Sequence, residues 1–190
     1  MEVFSINILA IDQARKGAWA VFECESKKLI GTGVFEFDSK YYTYARAVMY
    51  IEDIVNIVIK AYDVSAIFIE DIQLRQNVQS FKRLAQLQGV LVNSFERNNY
   101  LYDYIAPAQW QNFCNSRGRT SKEQDAEITE LEHDGKKRSK ILSIQYVKEH
   151  FGIDTQDDNL ADSICIGWYV VNNIAIEDVK STKQRKAQKK

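Results

Sequence analysis

Blocks of apolar residues separated by short polar stretches run the length of this chain, and their lengths predict its elements. Residues 6–11 read INILAI, a largely apolar run that ends on Asp12. After Gln13-Ala14-Arg15-Lys16-Gly17 the chain turns apolar again as Ala18-Trp19-Ala20-Val21-Phe22. β-Branched and large apolar residues bounded by turn signals predict two strands, the first of them buried. Gly17 after two basic residues suits a hairpin turn between them. A second turn at Lys27-Lys28 leads into a third strand, Leu29 to Phe37, and three strands joined by short turns make an antiparallel meander.

The spacing then switches to a helical period. Tyr44, Val48, Ile51, Val55, Val58 and Ile59 predict a helix over Tyr41–Tyr62, with Ser39 placed to cap it. Ala66–Ile69 reads as a fourth strand ending at Glu70-Asp71. A polar connector, Gln73–Gln79, precedes a helix over Ser80–Arg97, whose Phe81, Leu84, Leu87, Leu91 and Phe95 share one broad face. Tyr100–Ile105 is a fifth strand, and Pro107, the only proline, opens a short helix through Phe113. From Asn115 apolar residues thin out, and residues 116–139 read as a mobile insertion. A helix follows over Lys140–Phe151, stopped by Gly152, and then a largely buried one from Asp157 to about Asn172. Meander, helix, strand, helix, strand and closing helices imply an α/β architecture: a five-stranded mixed sheet flanked by helices.

Composition adds bounds. A chain of 190 residues suits one substantial domain, taken as residues 1–176, with 177–190 as a disordered basic tail. A hydrophobic share of 45% excludes wholesale disorder, and a net charge of −1 gives no global signal for nucleic acid. The tail does concentrate positive charge at Lys180, Lys183, Arg185, Lys186, Lys189 and Lys190, which serves either solubility or phosphate contact. Cys24, Cys114 and Cys165 are too far apart, and His133 and His150 too isolated, to form a zinc pattern. They point to a reducing compartment. Neither a signal peptide nor an apolar span of about 18 residues is visible, so a soluble cytoplasmic protein without a membrane partner is expected.

Four acids carry the candidate chemistry. Asp12 and Glu70 each close an apolar strand, and Asp158 and Asp162 lie four residues apart, hence on one helix face. Taken alone, Asp12 also suits a turn, and Asp157 and Asp158 suit a helix N-terminus. Asp162 is harder to place, because Leu160-Ala161-Asp162-Ser163-Ile164 is where a buried face should run. If the two strands are neighbours and the helix crosses their ends, the four carboxylates converge and require cations. Hard oxygen ligands suit Mg²⁺, or Mn²⁺ in its place, and two such ions roughly 3.5–4 Å apart cut phosphodiesters without a side-chain nucleophile.

The ordered set ILAIDQARKGAWAVF, IFIEDIQLRQNVQSFKRLAQLQGVL, Pro107, KKRSKILSIQYVKEHFGI and DDNLADSICIGWYV resembles the ribonuclease H-like superfamily. More narrowly, it resembles the RuvC-type Holliday junction resolvases, especially phage versions. The resemblance implies a ribonuclease H-like fold and a homodimeric, Mg²⁺-dependent endonuclease with two ions per site. Such an enzyme nicks four-way DNA junctions during recombination, here as a phage-encoded protein in a bacterial host. It implies metal binding by Asp12, Glu70 and Asp162. Bacterial members put an acid or His where this chain has Asn159, so Asp158 is taken as the fourth ligand, with Asp157 as the lesser choice. The basic cluster Lys136, Lys137, Arg138 and Lys140 lies near where the family places cations facing the scissile phosphate. Arg75, Lys82 and Arg83 are the other expected DNA contacts. Gln73 and Leu74 stand where bacterial members carry an aromatic residue. Two symmetric cuts call for a two-fold pair of sites, and the Ser80–Arg97 helix is a candidate for part of that interface.

Two readings stay beside this one: a ribonuclease H acting on RNA–DNA hybrids, and a branched-DNA-binding protein with weak or no catalysis. A sugar-kinase-type ATPase shares the meander but needs a glycine-rich phosphate hairpin, which DQARKG does not supply.

Overall fold

In a computed structural model, residues 6–37, 40, 43–74, 77–117 and 138–177 are described, and every structural statement below concerns these. β1 (Asn7–Asp12) is the middle strand of a five-stranded sheet. β2 (Ala18–Glu23) and β3 (Lys28–Val34) lie antiparallel on one side of it. On the other, β4 (Val64–Glu70) and β5 (Leu101–Ile105) run parallel to it, giving the order β3-β2-β1-β4-β5. The mixed sheet is the one the sequence predicts.

The remaining elements cover both faces. α1 (Tyr44–Ala61) and α2 (Val78–Arg97) lie on one side, with Val48, Ile51, Val55, Leu87, Leu91 and Phe95 packed on Leu9, Ile11, Ile67 and Ile69. The opposite side carries α3 (Pro107–Phe113), α4 (Arg138–Phe151) and α5 (Asp158–Asn173). There Trp110, Val147, Ala161, Ile164 and Cys165 pack on Ile8, Ala10, Ala66 and Phe68. Successive residues of β1 and β4 therefore enter different cores, which is why both read as near-continuous apolar runs rather than alternating ones.

Several boundaries shift for local reasons. α1 starts at Tyr44, capped by the Thr43 hydroxyl, which accepts from the Arg46 backbone N–H; Ser39 is not its cap and lies outside the described residues. β3 stops at Val34, although the Phe35 N–H still donates to the Gly17 carbonyl. α2 begins at Val78 under an Asn77 cap. α4 already includes Arg138 and Ser139, two residues earlier than expected. Most of the expected insertion and almost all of the basic tail lie outside the described residues. Gly17 is required by space: a Cβ there would stand 2.2 Å from the Asp12 carbonyl oxygen. Gly152 ends α4 at φ +67°, the left-handed conformation expected of a glycine cap.

Candidate active site

Strand parity decides where the acids go. Asp12 follows Ile8 and Ala10 on the face covered by α5, and Glu70 follows Ala66 and Phe68 on that same face. The two strands are parallel neighbours, so both carboxylates stand at the same edge. α5 lies unusually close to the strands beneath it: a Cβ on Gly167 would meet the Phe22 ring at 2.5 Å and the Ala10 Cβ at 3.3 Å. One end of that helix brings Asp162 to the strand tips, buried to 5% exposure, while Asp12 is at 6%. Asp158, one turn earlier, stays half-buried.

Lys140 of α4 holds this group together. Its ammonium lies 3.0 Å from Asp158 Oδ2 and donates to Asp162 Oδ2. Burial first, then the charges of Asp162 and Glu70, push the Asp12 carboxyl well above its ordinary value, against the opposing pull of Lys140. Burial also raises Asp162, and Lys140 opposes it. For Lys140 burial works the other way, lowering the ammonium, but the fields of Asp162 and Asp12 outweigh it and the net shift is upward. Two buried acids and one shared cation are incompletely neutralised.

Two further side chains fix Glu70. The Trp110 indole N–H donates to its Oε1 at 2.9 Å, and the Gln13 amide donates to its backbone carbonyl at 2.7 Å. Asp157 is accounted for separately. Its Oδ1 accepts from the Asn159 and Leu160 N–H groups at 2.9 and 3.1 Å, so it serves as the N-cap of α5. A cleft of about 320 Å³ opens beside the acids, lined by Asp12, Gln13, Glu70, Lys140 and Asn159, with Phe81 and Leu84 of α2 forming an apolar wall. Those two, expected on one broad face with Leu87 and Leu91, are only half-buried and line the cleft.

The donor set is of the kind a hard divalent cation takes: carboxylate oxygens, among them Asp162 Oδ1, which is buried without a hydrogen-bond partner among the described residues. The spacing is a different matter. Among the described residues no group of three or more acids, His or Cys is arranged to hold a metal ion, and Lys140 supplies the positive charge there. Of the expected DNA contacts, Lys140 is turned into the acids. Lys82 and Arg83 are exposed on α2, with the Arg83 guanidinium 5.8 Å from the centre of the Tyr44 ring. Arg138 is half-buried at the start of α4, and Arg75, Lys136 and Lys137 lie outside the described residues.

Gln13 and Trp110 are the contributors that sequence reasoning missed. A signal for Trp110 existed: a tryptophan in the first turn of a helix opened by Pro107 is held against the preceding strand, and a buried indole N–H needs an acceptor. Gln13 carried no signal beyond its adjacency to Asp12.

The family model for crossover junction endodeoxyribonuclease RuvC matches residues 8–132. A crossover junction endodeoxyribonuclease RuvC from Sulfurovum sp. (strain NBC37-1) is 29% identical over 143 residues, spanning 73% of this chain and 88% of the relative. Among solved structures, T. thermophilus RuvC in complex with Holliday junction substrate superposes with a TM-score of 0.63 at 12% identity, covering 86% of this chain and 92% of that one. Thermus thermophilus RuvC superposes at 0.62 with 14% identity over the same shares. The fold is ribonuclease H-like, and no helix among the described residues is long and apolar enough to cross a membrane. The chain belongs to the RuvC family of crossover junction endodeoxyribonucleases.

Proposed function

We propose that this protein nicks Holliday junctions and related branched DNA by two-metal-ion hydrolysis, with Asp12, Glu70, Asp158 and Asp162 as the metal-binding acids. The observation that carries the reading is that Asp12 and Glu70, at the ends of neighbouring strands, line one open cleft, with Asp162 of a distant helix close enough to act on Asp12. The family match ends at residue 132, so the roles of Asp158 and Asp162 rest on that geometry and on their one-turn spacing. Two Mg²⁺ ions held there, or Mn²⁺ ions, would supply the positive charge for phosphodiester hydrolysis with water as the nucleophile.

The protein's own part is to present the acids. The parallel pairing of β1 and β4 sets Asp12 beside Glu70, α5 lowers Asp162 onto them, and the apolar wall of Phe81 and Leu84 limits water on one side of the cleft. Lys140 holds together Asp158 and Asp162, two of the carboxylates that would hold the divalent cations. DNA contacts are assigned to Lys82, Arg83 and Arg138 with Arg75, Lys136 and Lys137, which predicts affinity that falls steeply with salt. A homodimer supplying two symmetric cuts, encoded by a phage and acting in a bacterial cytoplasm, completes the proposal.

A labelled four-way junction with Mg²⁺ tests it. Wild type should nick the junction in preference to an RNA–DNA hybrid of equal length. Asp12→Asn should bind the junction as well or better and cut it at least ~10³-fold more slowly, the loss of several kcal/mol of transition-state stabilisation. Equal cleavage by the variant, or preference for the hybrid, would overturn the proposal.

A further inference from the structure

We infer that Gln13 is a positioning residue for the divalent cation: its amide nitrogen fixes Glu70 relative to Asp12. The inference rests on the metal-site reading above and deepens it.

The parallel ladder between β1 and β4 ends at Ile11 and Ile69, one residue short of both acids. Backbone pairing thus brings the two strand ends side by side but adds no ladder pair at Asp12 and Glu70 themselves. On the far side of β4 the ladder continues, with Glu70 opposite Ile105 and the Asp71 N–H donating to the Ile105 carbonyl at 2.8 Å. On the near side, Gln13 takes over: its Nε2 donates to the Glu70 carbonyl at 2.7 Å, extending the β1–β4 connection by one step through a side chain.

That bond also fixes the orientation of the amide. A carbonyl can only accept, so the nitrogen must face Glu70 and the oxygen must face away. Oε1 is then left buried, in a side chain 4% exposed, without a hydrogen-bond partner among the described residues. Gln13 lines the cleft together with Asp12, Glu70 and Lys140. Groups that orient metal-binding side chains commonly carry about 10–100-fold in metal affinity.

The test measures Mn²⁺ binding to the whole protein by calorimetry, without DNA, beside junction cleavage as a function of Mg²⁺. Gln13→Met keeps the length and removes both polar ends; Gln13→Asn keeps the amide but is one methylene short of Glu70. Each variant that melts cooperatively should bind Mn²⁺ about tenfold more weakly or worse, and need correspondingly more Mg²⁺ for half-maximal cleavage. Junction affinity without metal should stay within about twofold. A lowered melting temperature with Mn²⁺ affinity within twofold of wild type would show that Gln13 only braces the fold, and the inference would fall. Asp12→Asn runs beside them. If it binds Mn²⁺ like wild type, the metal-site reading itself is wrong; if it loses Mn²⁺ while the Gln13 variants do not, only the role of Gln13 is wrong.

Discussion

The two faces of this sheet are built from the same strands and do opposite things. On the α1/α2 face, Leu9, Ile11, Ile67 and Ile69 meet Ile51, Leu87, Leu91 and Phe95 in an apolar layer. A polar pair there, half-buried Asn56 and buried Ser94, is internally matched at 3.1 Å. The α5 face begins with the same kind of layer, Ile8, Ala10, Ala66 and Phe68, and then ends in Asp12, Glu70 and Asp162 with one lysine among them. Neighbouring residues along one strand thus serve stability and chemistry in turn. The difference lies in what covers each face: an apolar helix surface on one side, and on the other a helix whose first turns carry acids.

The largest expected effect separates the faces outright. Leu91 is fully buried on the α1/α2 side, and Leu91→Ala should lower unfolding free energy by about 2–5 kcal/mol through lost burial and a residual cavity. Urea unfolding would measure it. Below the lowered transition the variant should cut junction DNA at the wild-type rate with the wild-type Mg²⁺ requirement. A changed Mg²⁺ requirement would break the comparison, because it would mean the apolar face sets the acid geometry.

Much of this division is legible in the residues. Apolar runs at 8–11 and 66–69 announce strands buried on both faces, and the helical spacing from Tyr44 to Ile59 announces their cover. Parity places Asp12 and Glu70 on a common face once the strands are known to be neighbours, a relation that spacing does not give. Asp162 is conspicuous for being an acid within an apolar helix. Lys140 is less transparent: in sequence it belongs to a basic run, and only the packing of α4 on α5 turns it inward. Gln13 and Trp110 act through single long-range hydrogen bonds, which leave no periodic trace.

Trp110 gives a smaller effect that sharpens the same contrast. It belongs to the apolar core of the α5 face and reaches the chemistry through its indole N–H alone. Trp110→Phe keeps most of the packing and removes the donor to Glu70. A hydrogen bond to a charged group contributes about 1.5–3 kcal/mol, so a fall in cleavage rate of roughly tenfold or more is expected. Steady-state kinetics should assign it to kcat, with KM for the junction nearly unchanged, since no DNA contact is altered. A change confined to KM would mean that Trp110 shapes the DNA surface instead.

The smallest effect reverses the usual sense of a site mutation. Without metal, the α5 face carries buried carboxylates that one ammonium does not fully neutralise, and it should be the weaker of the two. Asp12 has a folded-state pKa raised above its unfolded value of about 3.9, chiefly by burial and then by Asp162 and Glu70. Below that unfolded value the carboxyl is protonated whether the chain is folded or not. As pH rises, the unfolded chain ionises first, and the stability associated with the protonated folded form is lost as pH passes through the raised value. Asn at this position cannot ionise and escapes that loss. Metal-free Asp12→Asn should therefore melt close to wild type in acid and about 2–4 °C above it at neutral pH, the shift expected for roughly 1 kcal/mol in a domain of this size. Asp162 keeps its own raised value, so pH dependence in the variant should shrink without disappearing. Saturating Mg²⁺ should invert the order, because a ligand that binds the folded wild type stabilises it by mass action and the variant gains less. Calorimetric melting at two pH values, with and without Mg²⁺, would decide the matter. A variant less stable than wild type in metal-free neutral buffer would show that Lys140 already neutralises the cluster, leaving no electrostatic difference between the faces for metal to relieve.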